Sequence, residues 1–352
     1  MHRRIAPAAA ALLAAGLLGC SDAPAPKAAS ASTRVVFPPP PAEAVVEWVA
    51  SYSRPSDLGL GSSAFKKFLV GKEEREPGLV APMSVAISPD GKTFYVVDQK
   101  LDAVVVLSRE LKRFEVFQGD GAGRIGKPIG IAVGPDGSLY VADTAAQSVH
   151  AFDSALKFRA SYGGRNALKR PTNLAVSSDG RRLAVCDTPA DRVLVYSLPD
   201  GKLVKTLGTG TAGSKEGEFN SPYTVAYDDR GFLYVADYLN FRIQVFASDG
   251  EFVTAFGQAG DNPGAIARPR GLAVDSENGI VYEVDGAFQL VQMFNADGEY
   301  LMWFGSPGKG PGQFALPTGI ARRGSTLAVA DTMNGRIQLF RFLGAPKAPR
   351  PE

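Results

Sequence analysis

Apolar runs of five or six residues recur along the chain, separated by short turns that carry aspartate and glycine. Such runs are typical of strands, and Asp-Gly turns favour hairpins because their tight geometry needs positive φ. One stretch shows four runs in succession and predicts a four-stranded antiparallel sheet: Tyr223–Tyr227, Phe232–Ala236, Arg242–Phe246 and Glu251–Phe256.

The same pattern occurs six times, and its opening prolines are 43 to 51 residues apart. A proline opens each copy and an aspartate closes its second strand. The period and the strand content predict an all-β, six-bladed β-propeller of four-stranded antiparallel blades. The prolines are Pro82, Pro128, Pro171, Pro222, Pro269 and Pro317; the aspartates are Asp98, Asp143, Asp187, Asp237, Asp285 and Asp331.

The sixth copy ends after its third strand, at Ile337–Phe342, whereas an unpaired strand pattern at Val45–Tyr52 precedes the first copy. We expect this N-terminal strand to complete the last blade. Closure of this kind removes the open sheet edges that invite aggregation.

A set of short motifs recurs within these copies: Pro128–Val133, Tyr140–Asp143, Asn240–Phe246, Asn334–Phe340, Gly213–Phe219 and Gly305–Phe314. Together these motifs resemble NHL repeats, and the chain is similar to an NHL-repeat, six-bladed propeller lipoprotein family. The likeness covers about residues 45–342, and the first copy departs most, because Asp98–Ala103 lacks the Asn and Arg of the other copies.

The N-terminus has the pattern of a secretory signal, with Arg3 and Arg4 before an apolar stretch. Its ending, Leu17-Leu18-Gly19-Cys20, resembles the bacterial lipobox, which implies a lipid on Cys20 that holds the protein to a membrane surface. We expect a lipid-anchored protein of the bacterial cell envelope, on the periplasmic side or in the outer membrane. The predicted segments are a signal peptide at 1–19, an Ala/Pro-rich tether at 20–41, the propeller at 42–343 and a disordered tail at 344–352.

The longest connection between blades is the insertion at 53–81. Within it, Ser62–Leu69 has apolar residues at helical spacing behind a serine that could cap the helix. This pattern predicts a short helix over one face of the disc, either as a lid or as edge packing.

Composition narrows the choice of partners and cofactors. The formal net charge is +2, so nothing favours a nucleic-acid partner. Cys186 is the one cysteine besides Cys20, which predicts no disulfide framework and makes Cys186 a small buried filler. We predict a monomer without a cofactor.

The two faces of the predicted disc differ. The turns between strands one and two, and three and four, are short and lie on a plain face. The inter-blade loops and the turns between strands two and three form what we call the variable-loop face, where recognition usually occurs. These loops favour a polar or acidic partner, since Arg124, Lys127, Arg165, Lys169, Arg170, Lys215, Arg268 and Lys309 stand against Asp120, Glu216, Glu218 and Asp261.

The six repeat aspartates allow two interpretations. Together they could bind a cation, but as turn residues they cap backbone N–H groups, and their recurrence in every blade favours the cap. Arg192, Arg242 and Arg336 each follow an aspartate by five residues. These arginines either lock adjacent blades by ion pairs or line the channel mouth.

The resemblance implies two enzymatic alternatives. Amidating lyases with NHL repeats hold zinc through several histidines, but His150 alone remains once His2 leaves with the signal. We interpret His150 as a solvated strand residue and predict no metal site. Lactonase-like propellers hold calcium in the channel through acidic residues and Asn, and Asn173 near the channel mouth is left as a candidate ligand. A calcium-dependent, lactonase-like hydrolase is therefore the alternative function.

The sequence favours a non-catalytic binding or scaffold protein whose variable-loop face docks an envelope protein or a polysaccharide. Tyr223 and Arg270 directly follow the leading prolines and should flank the channel. The candidate partner-binding residues are Tyr223, Tyr238, Asn240, Arg242, Arg270, Phe288, Gln289, Asn334 and Arg336.

Overall fold

The computed structural model describes residues 34–60, 77–198 and 200–344. Within them the regular structure consists of strands and single-turn 3-10 helices. The first two strands are β1 (Val36–Phe37) and β2 (Val46–Tyr52). The 3-10 helices are Pro55–Leu58, Gly121–Gly123, Thr188–Ala190, Tyr238–Asn240 and Thr332–Asn334.

Five blades are consecutive four-stranded antiparallel sheets. Blade one holds β3 (Pro82–Ile87), β4 (Phe94–Asp98), β5 (Ala103–Ser108) and β6 (Arg113–Phe117). Blade two holds β7 (Pro128–Val133), β8 (Leu139–Asp143), β9 (Ser148–Phe152) and β10 (Phe158–Gly163). Blade three holds β11 (Pro171–Val176), β12 (Arg182–Asp187), β13 (Arg192–Ser197) and β14 (Leu203–Leu207).

The remaining blades continue the series. Blade four holds β15 (Pro222–Tyr227), β16 (Leu233–Asp237), β17 (Arg242–Phe246) and β18 (Phe252–Phe256). Blade five holds β19 (Pro269–Asp275), β20 (Ile280–Asp285), β21 (Leu290–Asn295) and β22 (Tyr300–Phe304). The loop after blade five contains the short parallel pair β23 (Ser306–Pro307) and β24 (Gln313–Phe314). Blade six holds β25 (Pro317–Arg323), β26 (Thr326–Asp331) and β27 (Arg336–Phe342).

The N-terminal strand β2 is the fourth strand of blade six, as predicted. It pairs antiparallel with β27, with Val46 opposite Phe342 and Tyr52 opposite Ile337. The innermost strands contact one another in sequence around the axis, including β25 with β3. The chain is therefore an all-β, six-bladed propeller closed by strands from both ends.

Strand β1 adds a fifth strand to blade six that the sequence did not predict. Val36 lies opposite Glu47 and Phe37 opposite Val46, within the stretch assigned to the tether. The ring of Phe37 contacts those of Phe304 and Phe340, with centroids 6.1 and 6.4 Å away. The packed part of the chain therefore begins before residue 42.

The core is divided among the six interfaces between neighbouring blades. Second and third strands are buried on both faces; all six residues of Ala103–Ser108, for example, are buried. The outermost strands are only half covered, as Arg113–Phe117 shows. This explains why the inner strands read as continuous apolar runs while the fourth strands alternate.

Several predictions lie outside the described residues: the signal peptide, Cys20, the tether up to residue 33, the helix at Ser62–Leu69 and most of the tail. Among the residues that are described, no helix has the length and apolar character needed to cross a membrane.

Candidate binding site at the channel mouth

The repeat aspartates act as caps, the interpretation that their recurrence favoured. Each one is fully buried. Asp143, for instance, accepts hydrogen bonds from the backbone N–H groups of Gly126 and Lys127 in the preceding loop, at 2.6 and 3.0 Å. It also accepts bonds from Ala145 and Ala146 in its own turn. Each carboxylate of this kind ties an inter-blade loop to the blade that follows.

Arg242 and Arg336 belong to this internal network. Arg336 Nε donates to Asp331 at 2.7 Å, and its Nη2 donates to the backbone oxygens of Gly310 and Gln313. Arg242 makes the equivalent bonds to Asp237 and to the loop before blade four. Both guanidinium groups are mostly buried and hold the preceding inter-blade loops in place. Their ion pairs lie within one blade and do not join adjacent blades, contrary to what one of the two alternatives expected.

Asn240 and Asn334 are also engaged internally. Asn240 donates to the backbone oxygen of Gly213 and to Asp237, each at 2.8 Å, and Asn334 makes the matching bonds in blade six. Burial raises the pKa of the Asp237 carboxyl, and hydrogen bonds from Asn220, Asn240 and Arg242 oppose this effect. These polar residues therefore hold the rim together.

The residues at the channel mouth do not fit a calcium site. The repeat carboxylates are saturated by N–H donors, and the Asn173 side-chain oxygen accepts a bond from the N–H of Leu174. Among the described residues, no three side chains of His, Cys, Asp or Glu come together as metal ligands.

His150 is buried, and its interpretation as a solvated residue is wrong. Only 5% of it is exposed. Its Nδ1 lies 2.9 Å from Ser161 Oγ, and its Nε2 lies 3.7 Å from Asp143. Burial lowers the pKa of His150, opposed by the charge of Asp143. The residue replaces a glutamine that bonds the repeat aspartate in other blades, as Gln338 does with Asp331 at 3.0 Å.

Cys186 is fully buried in strand β12, as predicted, and burial raises the pKa of its thiol. Such a thiol is inert filler between blades three and four.

A cavity of about 570 Å³ opens at the centre of the variable-loop face. Its wall includes the residue after the leading proline in five consecutive blades: Met83, Ile129, Thr172, Tyr223 and Arg270. The second-to-third-strand turns contribute further lining residues, among them Tyr238 and Leu239. Both basic residues on the wall are arginines, Arg170 and Arg270, and none of its residues is acidic.

Tyr223, Tyr238 and Arg270 form one cluster in this cavity. The Arg270 guanidinium carbon lies 5.0 Å from the Tyr223 ring centroid and 5.3 Å from that of Tyr238. Arg270 Nη1 also lies 3.3 Å from the Tyr223 hydroxyl, to which it donates. The two rings are themselves 5.9 Å apart. Cation–π contacts therefore fix the position of this guanidinium group.

Threonine pairs support the cavity wall. The hydroxyl oxygens of Thr172 and Thr188 lie 2.6 Å apart, and Thr188 donates to the backbone oxygen of Pro222 in the next blade at 2.7 Å. The same arrangement in blade six joins Thr318 and Thr332 to blade one across the closing seam.

Exposed apolar side chains surround the cavity on the second-to-third-strand turns. Met333 is 71% exposed and Leu239 is 45% exposed. Smaller apolar residues occupy the equivalent exposed position in three other blades, namely Ala145, Pro189 and Ala287. Single exposed apolar residues are ordinary, but their recurrence at one position on one face makes that face suited to docking.

The structure brings together three of the nine candidates. Phe288 and Gln289 lie on the turn of blade five, where the backbone N–H of Phe288 bonds Asp285, and neither residue lines the cavity. The sequence indicated Arg170 only as part of the basic excess of the inter-blade loops, and Thr172 and Leu239 were not among the candidates. Thr172 directly follows a leading proline, as Tyr223 and Arg270 do, and this position is the signal in the sequence that points to it.

A family model supports the repeat assignment. The NHL repeat model matches residues 126–152 and 219–246, the segments that span the first three strands of blades two and four. The chain therefore carries NHL repeats in a six-bladed propeller.

Curated relatives match part of the chain. Peptidyl-glycine alpha-amidating monooxygenase of Mus musculus is 28% identical over 184 residues, which cover 47% of this chain and 19% of that protein. A probable peptidyl-alpha-hydroxyglycine alpha-amidating lyase of Caenorhabditis elegans is 25% identical over 198 residues, which cover 54% of this chain and 52% of that protein. The chain thus spans about a fifth of the length of the mouse protein and about half of the length of the Caenorhabditis elegans protein.

Among solved structures, virginiamycin B lyase from Staphylococcus aureus superposes with a TM-score of 0.54 and 16% identity. The superposition covers 74% of this chain and 80% of that one. A likeness at this level of identity concerns the fold.

Proposed function

We propose that the protein is a non-catalytic binding protein whose variable-loop face docks another protein. The observation that carries this proposal is the recurrence of exposed apolar tips, led by Leu239 and Met333, around a central cavity lined by Tyr223 and Tyr238. Tyrosine and methionine are enriched in protein interfaces. Apolar tips of this kind favour a protein over a polysaccharide.

The charge around the cavity supports the same function. The inter-blade loops carry an excess of lysine and arginine, including the exposed Arg170 and Arg268. Rim charges of one sign steer a partner of the opposite sign and set its orientation. We therefore expect a partner with an acidic docking surface.

The described side chains give little support to catalysis. His150 is the one histidine of the propeller sequence, and it lies in a core between blades, away from the cavity wall. A zinc site of histidines, as in the amidating lyases, would need more imidazoles than this chain supplies.

Photo-crosslinking tests the docking surface directly. A photoreactive amino acid replaces Met333 on the variable-loop face or, as the matched control, Leu111 on the plain face, which is 58% exposed. Irradiation of intact cells should give a protease-sensitive adduct at Met333 and none at Leu111, identified by mass spectrometry. Equal adducts at both positions, or none at either, would contradict the proposal.

The same partner should be lost on polar substitution. Leu239→Ser together with Met333→Ser removes two exposed apolar tips without touching the core. In this variant the photoreactive amino acid replaces Ala287, on the same face. We expect the yield of the adduct with the same partner to fall at least tenfold, since interface hot spots contribute about 2 kcal/mol each. A double variant that still gives the full adduct contradicts the docking surface.

We further propose that lipid on Cys20 anchors the protein to a membrane of the bacterial cell envelope, because the Leu-Leu-Gly-Cys ending resembles a lipobox. Cys20→Ser should move the protein from the membrane fraction to the soluble fraction and abolish labelling by a palmitate analogue. Continued labelling of the variant would contradict the anchor.

A further inference from the structure

Two arginines line one cavity without a carboxylate partner. Arg192, Arg242 and Arg336 each pair with a repeat aspartate, at 2.9, 3.0 and 2.7 Å. Arg170 and Arg270 pair with no carboxylate among the described residues, although they lie on the wall of the same cavity. This distribution leaves positive charge at the centre of the variable-loop face.

Arg270 is held in place by aromatic rings instead of an anion. Tyr223 and Tyr238 fix its guanidinium group, and its Nε is buried with no hydrogen-bond partner. The arrangement keeps a planar donor group ready to bind an anion.

We propose that this cavity binds a carboxylate group of the docked protein, with Arg270 as the primary contact and Arg170 as the second cation. The inference rests on the proposed function for the source of the anion, because carboxylates are the anionic groups of an unmodified protein. Guanidinium groups bind carboxylates through paired N–H donors, which gives both charge and orientation.

The size and lining of the cavity fit a short peptide segment. A volume of about 570 Å³ lies within the range of ordinary ligand pockets. Met83, Ile129 and Leu239 supply apolar surface for the aliphatic part of the acidic residue. Thr144 and Ser221 add polar groups able to bond the peptide backbone.

Small peptides test the site without the partner. The first pair of probes is Ac-Ala-Ala-Glu-Ala-Ala-NH2 and its Gln counterpart, which differ only in the side-chain charge. The second pair is Ac-Ala-Ala-Ala with a free or an amidated C-terminus. Saturation-transfer NMR on the whole protein should detect the Glu probe or the free-acid probe, at concentrations up to about 10 mM, and neither neutral counterpart. The preferred probe distinguishes a side-chain carboxylate from a terminal one.

Substitutions localise the binding. Arg270→Gln should weaken the preferred probe at least tenfold, since a charge-assisted pair is lost, and Arg170→Gln should have a smaller effect. Arg270→Lys keeps the charge but loses the planar fork, and should recover only part of the affinity. Arg109→Gln removes an exposed charge on the plain face and serves as the matched control. Thermal melts of each variant show that the fold is retained.

Three results would overturn the proposal: no binding of either charged probe, equal binding of charged and neutral probes, or equal losses in the Arg270→Gln and Arg109→Gln variants. Failure here is separable from failure of the docking function. An adduct at Met333 without carboxylate binding leaves the docking surface standing, whereas carboxylate binding without any adduct leaves only the cavity site.

Discussion

The indole Nε1 of Trp48 donates a hydrogen bond to the side-chain oxygen of Gln338, at 3.0 Å. These residues lie 290 positions apart in sequence, on β2 and β27. Gln338 also accepts a bond from the backbone N–H of Gly312 and donates to Asp331. The N-terminal strand is thus bonded into the same network that holds the loop before blade six.

Deletion of residues 42–52 should abolish the stable monomer. It exposes the edge of β27 and opens the cores that Val46 and Tyr52 help to fill. Size-exclusion chromatography with light scattering should show oligomers or unfolded protein. Deletion of residues 34–41 is the control, because it removes only β1 and should leave a monomer with a lower melting temperature. A truncated protein without 42–52 that melts as a normal monomer contradicts closure.

Trp48→Phe should reduce the free energy of unfolding by about 1 kcal/mol, because it removes the hydrogen bond to Gln338 but keeps an aromatic ring. Urea denaturation measures the change. Val49→Ala, at an exposed position of the same strand, should reduce the free energy of unfolding by less. A larger reduction at Val49 than at Trp48 would contradict a stabilising role of the Trp48–Gln338 hydrogen bond.

Asp331→Asn should reduce the free energy of unfolding by about 3 kcal/mol, as breaking a buried ion pair does. The side-chain amide introduced by this substitution places an N–H group where Ala315, Arg336 and Gln338 each donate a hydrogen bond to the carboxylate, so donor meets donor. Urea denaturation of Asp261→Asn, at an exposed loop position, gives the matched control with little change expected. Equal, small effects at both positions would show that the repeat aspartate is not a cap that stabilises the fold.

His150→Gln should flatten the pH dependence of stability below about pH 6.5, the ordinary pKa of histidine. Burial lowers the pKa of His150, so the unfolded chain binds a proton at mildly acidic pH that the folded chain refuses. Stability is therefore lost as pH falls from the unfolded pKa toward the folded one. Melting curves between about pH 5 and pH 8 check this. Because other blades carry Gln here, the variant should fold normally, and an unchanged pH slope would contradict the assignment.

Glu283→Gln should increase stability at alkaline pH. Glu283 is fully buried in β20, its Oε1 has no partner, and burial raises the pKa of its carboxyl well above the usual value. The folded state therefore holds a proton that the unfolded state has lost, and stability falls as pH rises from the unfolded toward the folded pKa. The variant should gain about 1 kcal/mol or more at pH 9 and nothing at pH 4. An equal gain at both values would mean that packing, not ionisation, sets the cost.

Glu283→Val gives a second version of that test. The matching second-strand position is valine in the other five blades: Val96, Val141, Val185, Val235 and Val329. This variant should also lose the alkaline slope, and a retained slope would locate the titrating group elsewhere.

The blades could be predicted because each strand keeps its apolar period and each hairpin its turn residues. In blade four, the predicted strand at Arg242–Phe246 matches the observed one, and Leu233–Asp237 is displaced by one residue. Closure by the N-terminal strand also followed from counting strands. Strand β1 did not, because Val36–Phe37 is too short to carry a period and is followed directly by the four prolines Pro38 to Pro41.

The site was harder to predict than the frame. Asn240 and Arg336 look like exposed recognition residues in sequence, yet their hydrogen bonds go to loop carbonyls of the same chain. His150 looked solvated because three other blades carry the polar residue glutamine at its third-strand position, whereas both faces of such a strand are covered by neighbouring blades. Partners of this kind depend on how blades meet, which local periodicity does not encode.

Pairing between β2 and β27 also fixes when the ring can be completed during synthesis. Val46 cannot pair until Phe342 has been synthesised, so blade six forms only after almost the whole propeller has been made. Until then, the first blade and the fifth each present an uncovered apolar side. Contacts of such long sequence separation form slowly, and the unfinished disc is the state of this protein most in need of a chaperone.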